Sequence, residues 1–337
     1  MPAHVCRLQD MPPFAAHFCL QVEKFCRDEL AVDLSGSRVL VAYSGGADSL
    51  ALLLVLHALS RRLGMEIGTA TLDHCLREEA AGEVRAAREV CAELGIAFFT
   101  DRRDTARYAA ERKLGLEEAA RDVRADFLES VRFGNRFSWI AQGHQLNDLA
   151  EDSLMRSMRG AGWPALAGME AVDGMRHIVR PLLLTSRNAI ERFVSCLGFS
   201  WVADAMNADM RHLRNRVRHT LLPFYLRENP SFLDSIAARW RLAREDAAYF
   251  TEVTAAQPVM GCEEVFLPRE ALASMHKAVR LRRYKHVVDT LGEGQALHVS
   301  LFTLDSLWRK NQGGGEVWFP GGKRAAIRNG GIVFMRS

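Results

Sequence analysis

The chain has 337 residues, of which 48% are hydrophobic and 25% are charged, and its net charge is +3. This composition is typical of a soluble protein of two or three domains, and the charge is too small to indicate nucleic-acid binding by itself. Seven scattered cysteines without a C-x-x-C pair argue against a disulfide framework, a zinc ribbon and an iron–sulfur centre.

The amino-terminal 33 residues mix acids and bases and lack the apolar core of a signal peptide. The longest apolar run, residues 50–56, is far too short to span a bilayer. We therefore predict a cytoplasmic protein with no membrane partner.

The first two thirds of the chain alternate predicted strands with predicted helices. Strands are predicted at 38–43, 66–72, 96–100, 137–142 and 177–183. Helices are predicted at 50–63, 79–95, 116–131, 149–158 and 187–197. This alternation predicts an α/β fold with a doubly wound parallel sheet, covered by helices on both faces and binding its ligands at the carboxyl ends of the strands.

The pattern changes after Pro223. We predict a catalytic domain over 1–223 with its core from about 38, a helical linker over 224–264, and a small α+β carboxyl-terminal domain over 265–337. The last of these contains a basic helix at 269–291 with Lys277, Arg280, Arg282 and Arg283. Contact with nucleic acid and simple solvation are equally good interpretations of that helix.

The loop between the first strand and the first helix consists of Ser44, Gly45, Gly46, Ala47, Asp48 and Ser49. The glycines let backbone N–H groups approach an anion, and the start of the helix adds free N–H groups and partial positive charge. The loop therefore predicts a phosphate site, although a tight turn with Asp48 or Ser49 as N-cap is the alternative. Because a bare carboxylate repels polyphosphate, Asp48 is predicted to act through Mg²⁺.

The sequence resembles one enzyme family in several blocks. SGGxDS is the signature of the PP-loop ATP pyrophosphatases, which are adenine nucleotide alpha-hydrolase-like and split ATP into AMP and pyrophosphate. Blocks similar to those of tRNA(Ile)-lysidine synthetases follow in family order at 72–77 (LDHCLR), 115–121 (GLEEAAR), 143–151 (GHQLNDLAE), 159–162 (RGAG), 180–183 (RPLL), 204–207 (DAMN) and 214–218 (RNRVR). One departure is Asn147, where the family usually has aspartate, and the stretch from 265 resembles the family's first carboxyl-terminal domain.

The resemblance implies a ligase that uses ATP and Mg²⁺. The wobble cytidine of an isoleucine tRNA with a CAU anticodon would attack the α-phosphate, and the ε-amine of free L-lysine would then displace AMP to form lysidine. The sequence leaves a homodimer open. A PP-loop thiolase is one rival, against which the missing C-x-x-C pairs speak, and a catalytically silent RNA-binding homologue, supported only by Asn147, is another.

The resemblance and the predicted sheet together give the candidate site. The catalytic candidates are Asp48, His74, Arg121, Asp148 and Glu151. The candidates for contact with lysine or tRNA are His144, Asp148, Glu151, Arg124, Arg214 and Arg218.

Each of these assignments has a structural alternative. Arg121 and Arg124 share one helix face that could be only solvated, and His144 could face the core. Asp148 and Glu151 also share a face, and their mutual repulsion favours a bound cation, either an ammonium group of lysine or Mg²⁺. The arginines at 211, 214, 216 and 218 stand without an acid among them, which suits an anionic partner better than a plain exposed helix.

Overall fold

The chain divides into two units, residues 1–240 and 241–337, each with its own hydrophobic core. The computed structural model describes residues 7–76, 80–201, 210, 212–255, 264–310 and 314–336. Arg77, Arg211 and the block at 204–207, which the sequence singles out, lie outside these residues. The domain boundaries at 223 and 264 stay predictions, and one long helix, Phe232–Ala255, runs through most of the predicted linker.

The first unit is built on a six-stranded sheet of order β3-β2-β1-β4-β6-β5. Its strands are β1 Arg38–Ala42, β2 Glu66–Asp73, β3 Ala97–Arg102, β4 Trp139–Ala141, β5 Val172–Asp173 and β6 Ile178–Val179. All neighbours pair in parallel except β5, which adds an antiparallel edge. The chain leaves β1 towards β2 on one side and returns to β4 on the other, so β1 and β4 flank a topological switch point. This sheet confirms the predicted fold class.

Helices cover the sheet and extend beyond it. They are α1 Pro13–Lys24, α2 Ala47–Leu63, α3 Ala80–Glu93, α4 Thr105–Arg112, α5 Leu116–Gly134, α6 Leu146–Met158, α7 Arg187–Cys196, α8 Leu213–Arg216, α9 Leu222–Glu228 and α10 Phe232–Ala255. Every residue from Leu50 to Leu56 is buried, because α2 is apolar on all sides and lies in the core. No helix within the described ranges is long and apolar enough to cross a bilayer.

The strand predicted at 177–183 is much shorter than expected. Only Ile178 and Val179 pair with β4 and β5. The Arg180 N–H then donates to the Ala171 carbonyl at 2.8 Å, and the next residue, Pro181, has no N–H to continue a ladder. The α1 and α4 helices were not predicted.

The second unit packs α11 Arg269–Ser274, α12 Lys277–Thr290 and α13 His298–Arg309 with an antiparallel sheet. Its strand order is β7-β10-β9-β8, with β7 Glu264–Pro268, β8 Glu316–Phe319, β9 Lys323–Arg328 and β10 Gly331–Arg336. The single basic helix predicted at 269–291 is therefore two helices, and α13 was not predicted.

Two of the cations predicted on that basic helix are internal. The Arg280 guanidinium is 6% exposed and donates to the Asp305 carboxylate, with Nε 2.6 Å from Oδ1. Arg283 is 2% exposed and donates to the Thr254 carbonyl. These side chains hold the second unit together, so contact with nucleic acid is the wrong interpretation for both.

We expect Asp305→Ala to lower the free energy of unfolding of the second unit by about 3 to 5 kcal/mol, because it leaves the Arg280 charge buried without a counter-charge. Urea unfolding followed by the fluorescence of Trp308 and Trp318 measures this. Glu316→Ala, which breaks an exposed pair with Arg324, should cost less than about 1 kcal/mol. Equal losses in the two variants would contradict the role of the buried pair.

Candidate active site

The predicted phosphate loop connects the carboxyl end of β1 to the amino terminus of α2. Gly45 has φ +80°, a conformation that favours glycine. Gly46 is the N-cap of α2 and offers no side-chain acceptor, so the alternative with Asp48 or Ser49 as N-cap is wrong. The Ser49 hydroxyl instead braces the loop, donating to the Gly46 carbonyl at 3.0 Å and accepting from the Ser44 N–H at 3.1 Å. The first N–H groups of α2 are thus left to serve an anion.

A second segment packs directly on this helix start. A Cβ atom added to Gly143, just beyond β4, would lie 3.0 Å from the backbone carbonyl of Asp48. Only glycine fits that approach without movement of the backbone, so the loop after β4 fixes the first turn of α2. In the sequence, Gly143 stands out only as the first residue of the block at 143–151, and nothing there indicates this close approach.

A cavity of about 490 Å³ opens beside the loop. Pockets of roughly 300 to 1,000 Å³ hold small ligands and cofactors, so a nucleotide fits this one. Its polar wall includes Ser44, Gly46, Asp48, Ser49, His74, Arg124 and His144. Its apolar wall includes Ala70, Leu72, Val84, Phe127 and Leu128. The structure therefore brings the loop, two histidines and one arginine of the predicted site together around one space.

Asp48 is the residue of this cavity whose side chain is least well satisfied by the protein. Its Oδ1 atom is buried and has no hydrogen-bond partner among the described residues. Burial raises the pKa of Asp48 to about 6, and the nearby charge of Asp148 adds to the shift. An orphaned carboxylate oxygen beside a phosphate loop fits a Mg²⁺ ion that is shared with phosphates, since Mg²⁺ usually takes only one or two protein carboxylates. Within the described ranges, no three His, Cys, Asp or Glu residues form a metal cluster of their own.

The predicted carboxylate pair lies on α6 and is engaged by two arginines. Arg214 Nη2 and Arg218 Nη2 lie 2.9 and 3.0 Å from Asp148 Oδ1. Arg214 Nε lies 2.9 Å from Glu151 Oε2, and Arg218 Nε lies 2.6 Å from Glu151 Oε1. Glu151 is 1% exposed and Asp148 is 7% exposed. We call these four residues the carboxylate–arginine cluster.

The sequence predicts lysine or Mg²⁺ as the counter-cation of the two carboxylates, whereas in the structure two arginines take that place. The repulsion between Asp148 and Glu151 is relieved by two guanidinium groups, not by an open cation site. Arg214 and Arg218 are likewise turned towards carboxylates and are not a plain exposed face. Asp148 Oδ2 also accepts the Gln145 N–H at 3.0 Å, which closes a capping box at the start of α6.

His144 lines the cavity and is half-buried, so it is not a core histidine. Burial lowers its pKa to about 4, although the charge of Asp148 opposes the shift. Its Nδ1 accepts a hydrogen bond from Arg180 Nε at 3.1 Å, which leaves the ring hydrogen on Nε2. His144 is therefore a neutral hydrogen-bond donor near pH 7.

His74 and Arg124 stand on another wall of the cavity. His74 Nδ1 lies 3.0 Å from the Thr105 hydroxyl, and burial, followed by the charge of Arg124, lowers the His74 pKa. Arg124 is exposed and lies near the like charges of Arg121 and Arg214. A guanidinium among other cations suits an anionic ligand. Arg121 does not line the cavity; its side chain is 70% exposed and lies 3.9 Å from Glu117.

Arg187, at the start of α7, was not singled out from the sequence. Its pKa is raised first by a hydrogen bond to Glu191, at 2.8 Å, and further by the charges of Asp48 and Asp148. Its backbone N–H donates to Asn147 Oδ1 at 3.4 Å. Asn147 thus links α6 to α7, which a neutral amide does as well as a carboxylate. The folding of the chain brings α7 close to Asp48 and Asp148, and no pattern in the sequence indicates that Arg187 lies near these acids.

We expect Asp48→Asn to raise the free energy of unfolding at pH 8 by on the order of 2 kcal/mol, because the folded protein then no longer holds a carboxylate with a raised pKa. The gain should shrink as the pH falls through 6 and vanish below about 4, where the carboxyl is protonated in both states.

Urea unfolding at several pH values measures this gain. Asp152→Asn is the matched control, since the Asp152 carboxylate is 2.8 Å from Arg156 and should gain nothing. A stability at pH 8 that is unchanged or lower in Asp48→Asn would contradict the assignment.

Comparison with known proteins identifies the family of the chain. Residues 15–225 match the family described as a PP-loop domain. The tRNA(Ile)-lysidine synthase of Nitratidesulfovibrio vulgaris is 41% identical over 93% of this chain and 96% of its own length. That of Thermobifida fusca is 32% identical over 96% of this chain and 98% of its own length. That of Geobacter sulfurreducens is 33% identical over 81% of this chain, which matches 59% of that longer protein.

A solved structure shares the fold. The U34-tRNA thiolase of Methanococcus maripaludis, described with its [4Fe-4S] cluster, superposes with a TM-score of 0.58 over 68% of this chain and 79% of its own, at 17% identity. That likeness concerns the fold alone. The PP-loop match covers more than half of the chain, and two relatives exceed 30% identity over nearly all of it. The chain therefore belongs to the PP-loop domain family and, within it, to the tRNA(Ile)-lysidine synthases.

Proposed function

We propose that this chain uses ATP to attach free L-lysine to C2 of the wobble cytidine in the CAU anticodon of an isoleucine tRNA. The products are lysidine, AMP and pyrophosphate. The observation that carries the proposal is one cavity in which the phosphate loop, Arg124 and His144 meet, with the carboxylate–arginine cluster close enough to Asp48 to influence its charge. Family membership selects this reaction among those that a phosphate loop could serve.

In the first step, the loop from Ser44 to Ser49 holds the phosphates of ATP. Asp48 would hold Mg²⁺, which would supply positive charge against the phosphates. Arg124 on the cavity wall adds charge for the same purpose, and the apolar wall at Leu72, Phe127 and Leu128 suits a flat base. The cytidine O2 attacks the α-phosphate and pyrophosphate leaves. The protein's contribution is positioning and charge stabilisation.

In the second step, the uncharged ε-amine of lysine attacks C2 and AMP leaves, while the α-ammonium group remains as the cationic end of the substrate. We place the cationic end of lysine at Asp148 and Glu151. Because Arg214 and Arg218 already engage both carboxylates, the ammonium group has to replace at least one guanidinium. Leaving a buried carboxylate without any cation costs several kcal/mol, so the exchange has to be one cation for another.

The displaced arginines need a new anion, and tRNA phosphates supply it. We propose that Arg214 and Arg218 turn from the carboxylates to the anticodon backbone when tRNA binds. This unites two expectations from the sequence, that the carboxylates recognise lysine and that the arginines contact tRNA. It also makes the lysine subsite available mainly when tRNA is present, so lysine should bind weakly without it.

His144 serves as a donor and not as a base. A pKa of about 4 leaves it unable to hold a proton taken from lysine at neutral pH. Its Nε2 hydrogen suits an oxygen of the nucleotide or of cytidine. Catalytic roles for His74 and Arg121, a homodimer and a cytoplasmic location remain our predictions from the sequence.

The deciding experiment incubates the full chain with ATP, Mg²⁺, labelled lysine and total bacterial tRNA. We expect label to become tRNA-bound, and pyrophosphate release to continue over many turnovers only when both lysine and tRNA are present. A thiolase would release pyrophosphate with a sulfur donor and incorporate no lysine. A catalytically silent homologue would bind tRNA and release no pyrophosphate. Either result would overturn the proposed reaction.

We expect Glu151→Gln to raise the lysine concentration for half-maximal rate by roughly tenfold to a hundredfold, because a charge-assisted hydrogen bond of about 1.5 to 3 kcal/mol is lost. The concentrations of ATP and Mg²⁺ for half-maximal rate should stay nearly constant. Steady-state titration of each ligand in turn measures the three values.

Asp152→Asn is the control for that titration, since it removes a neighbouring charge on α6 whose carboxylate lies 2.8 Å from Arg156. If Glu151→Gln shifts the Mg²⁺ and ATP requirements and leaves lysine unchanged, the carboxylates serve the metal and lysine recognition lies elsewhere.

A further inference from the structure

The outward face of α13 carries the features of a nucleic-acid contact. Leu301, Leu304 and Trp308 point into the core of the second unit, and Asp305 is 1% exposed beside Arg280. The opposite side is exposed and brings together Val299, Phe302, Ser306, Arg309 and Lys310. These positions recur at intervals of three or four residues, so they form one stripe along the helix. Phe302 is 51% exposed and Val299 is 77% exposed.

The charge of this stripe has one sign. Between His298 and Lys310 the only acid is Asp305, which is buried in an ion pair. Arg309 and Lys310 make no ion pair or side-chain hydrogen bond with any described residue. Lys277, at the start of α12, places its Nζ 5.2 Å from the centre of the Phe302 ring. One cation thus lies beside the exposed aromatic ring, and two more follow about two turns further along the same helix.

A second exposed surface of the same unit differs from the α13 stripe in its distribution of charge. The outer face of its sheet also carries exposed aromatic side chains, Phe266 and Trp318. There the cations and acids are mixed, since Arg324 lies 3.4 Å from Glu316 and Glu264 follows on the far strand. The uniform positive charge is therefore a property of the α13 stripe and not of the whole unit.

We propose that the surface formed by Lys277, Val299, Phe302, Ser306, Arg309 and Lys310, the α13 surface, binds the tRNA substrate. The cations contact backbone phosphates, and Phe302 packs on a base or a ribose. A second copy of this chain fits the surface poorly, because a two-fold contact would place like charges against each other. The proposal rests on the proposed function, which makes tRNA the substrate. In this proposal the α13 surface, and not the buried arginines of α12, is the part of the second unit that contacts tRNA.

The test compares three variants of the full chain in tRNA binding at several salt concentrations. Arg309→Ala with Lys310→Ala should weaken binding and reduce the slope of log affinity against log salt by about 1.5 to 2, for two lost phosphate contacts. Phe302→Ala should weaken binding roughly fivefold to a hundredfold with little change of slope. Arg324→Ala with Arg328→Ala, on the outer sheet face, is the matched control and should change neither quantity.

Two further measurements separate this inference from the proposed function. Lysidine formation at saturating tRNA should proceed at the unaltered rate in all three variants, because the α13 surface adds affinity and not chemistry. If the unmodified chain forms no lysidine, the proposed function fails. If it forms lysidine and both α13 variants bind tRNA with unaltered affinity and slope, this inference fails. A change of sedimentation coefficient in the α13 variants without any loss of tRNA affinity would make the surface a protein interface and overturn the inference.

Discussion

The balance of charge between Asp148, Glu151, Arg214 and Arg218 is the constraint on which the active site depends. The two acids lie one turn apart on α6 and are nearly out of water, where a carboxylate needs a cation or hydrogen-bond donors beside it. Arginines from a segment more than sixty residues later in the chain neutralise them. The same ion pairs hold the segment with Arg214 and Arg218 against α6, at the place where we propose that lysine is recognised. Stability and substrate access are therefore in competition at this cluster.

That competition would allow one segment to serve the two partners that we propose for it. A guanidinium fork binds a carboxylate and a phosphate with the same geometry, so an arginine can change partner without losing hydrogen bonds. The capping box at Gln145 holds Asp148 in position through a backbone contact that the exchange does not touch. In the proposed exchange, the carboxylates would therefore stay fixed while the cations around them change.

The sequence was sufficient to predict those features that depend on residues close together in the chain. The loop from Ser44 to Ser49, the parallel sheet and the cavity edge followed from glycines, apolar strands and their alternation with helices. Family blocks added His144, Asp148 and Glu151. The sequence did not predict that Arg214 would meet Glu151, because that contact depends on how a distant segment folds back. The sequence also offered Arg280 and Arg283 as candidates for a nucleic-acid contact, because they look exposed in a basic stretch, whereas α13 and the end of α10 bury them.

The burial of α2 has a consequence for how the loop behaves before any ligand arrives. Every residue from Leu50 to Leu56 is enclosed, so this helix can open only when the whole unit unfolds. Its amide hydrogens should be among the slowest in the protein to exchange with solvent, and the first turn beneath Gly143 shares that rigidity. The phosphate-binding N–H groups are thus ordered during folding, and nucleotide affinity loses nothing to arranging them afterwards.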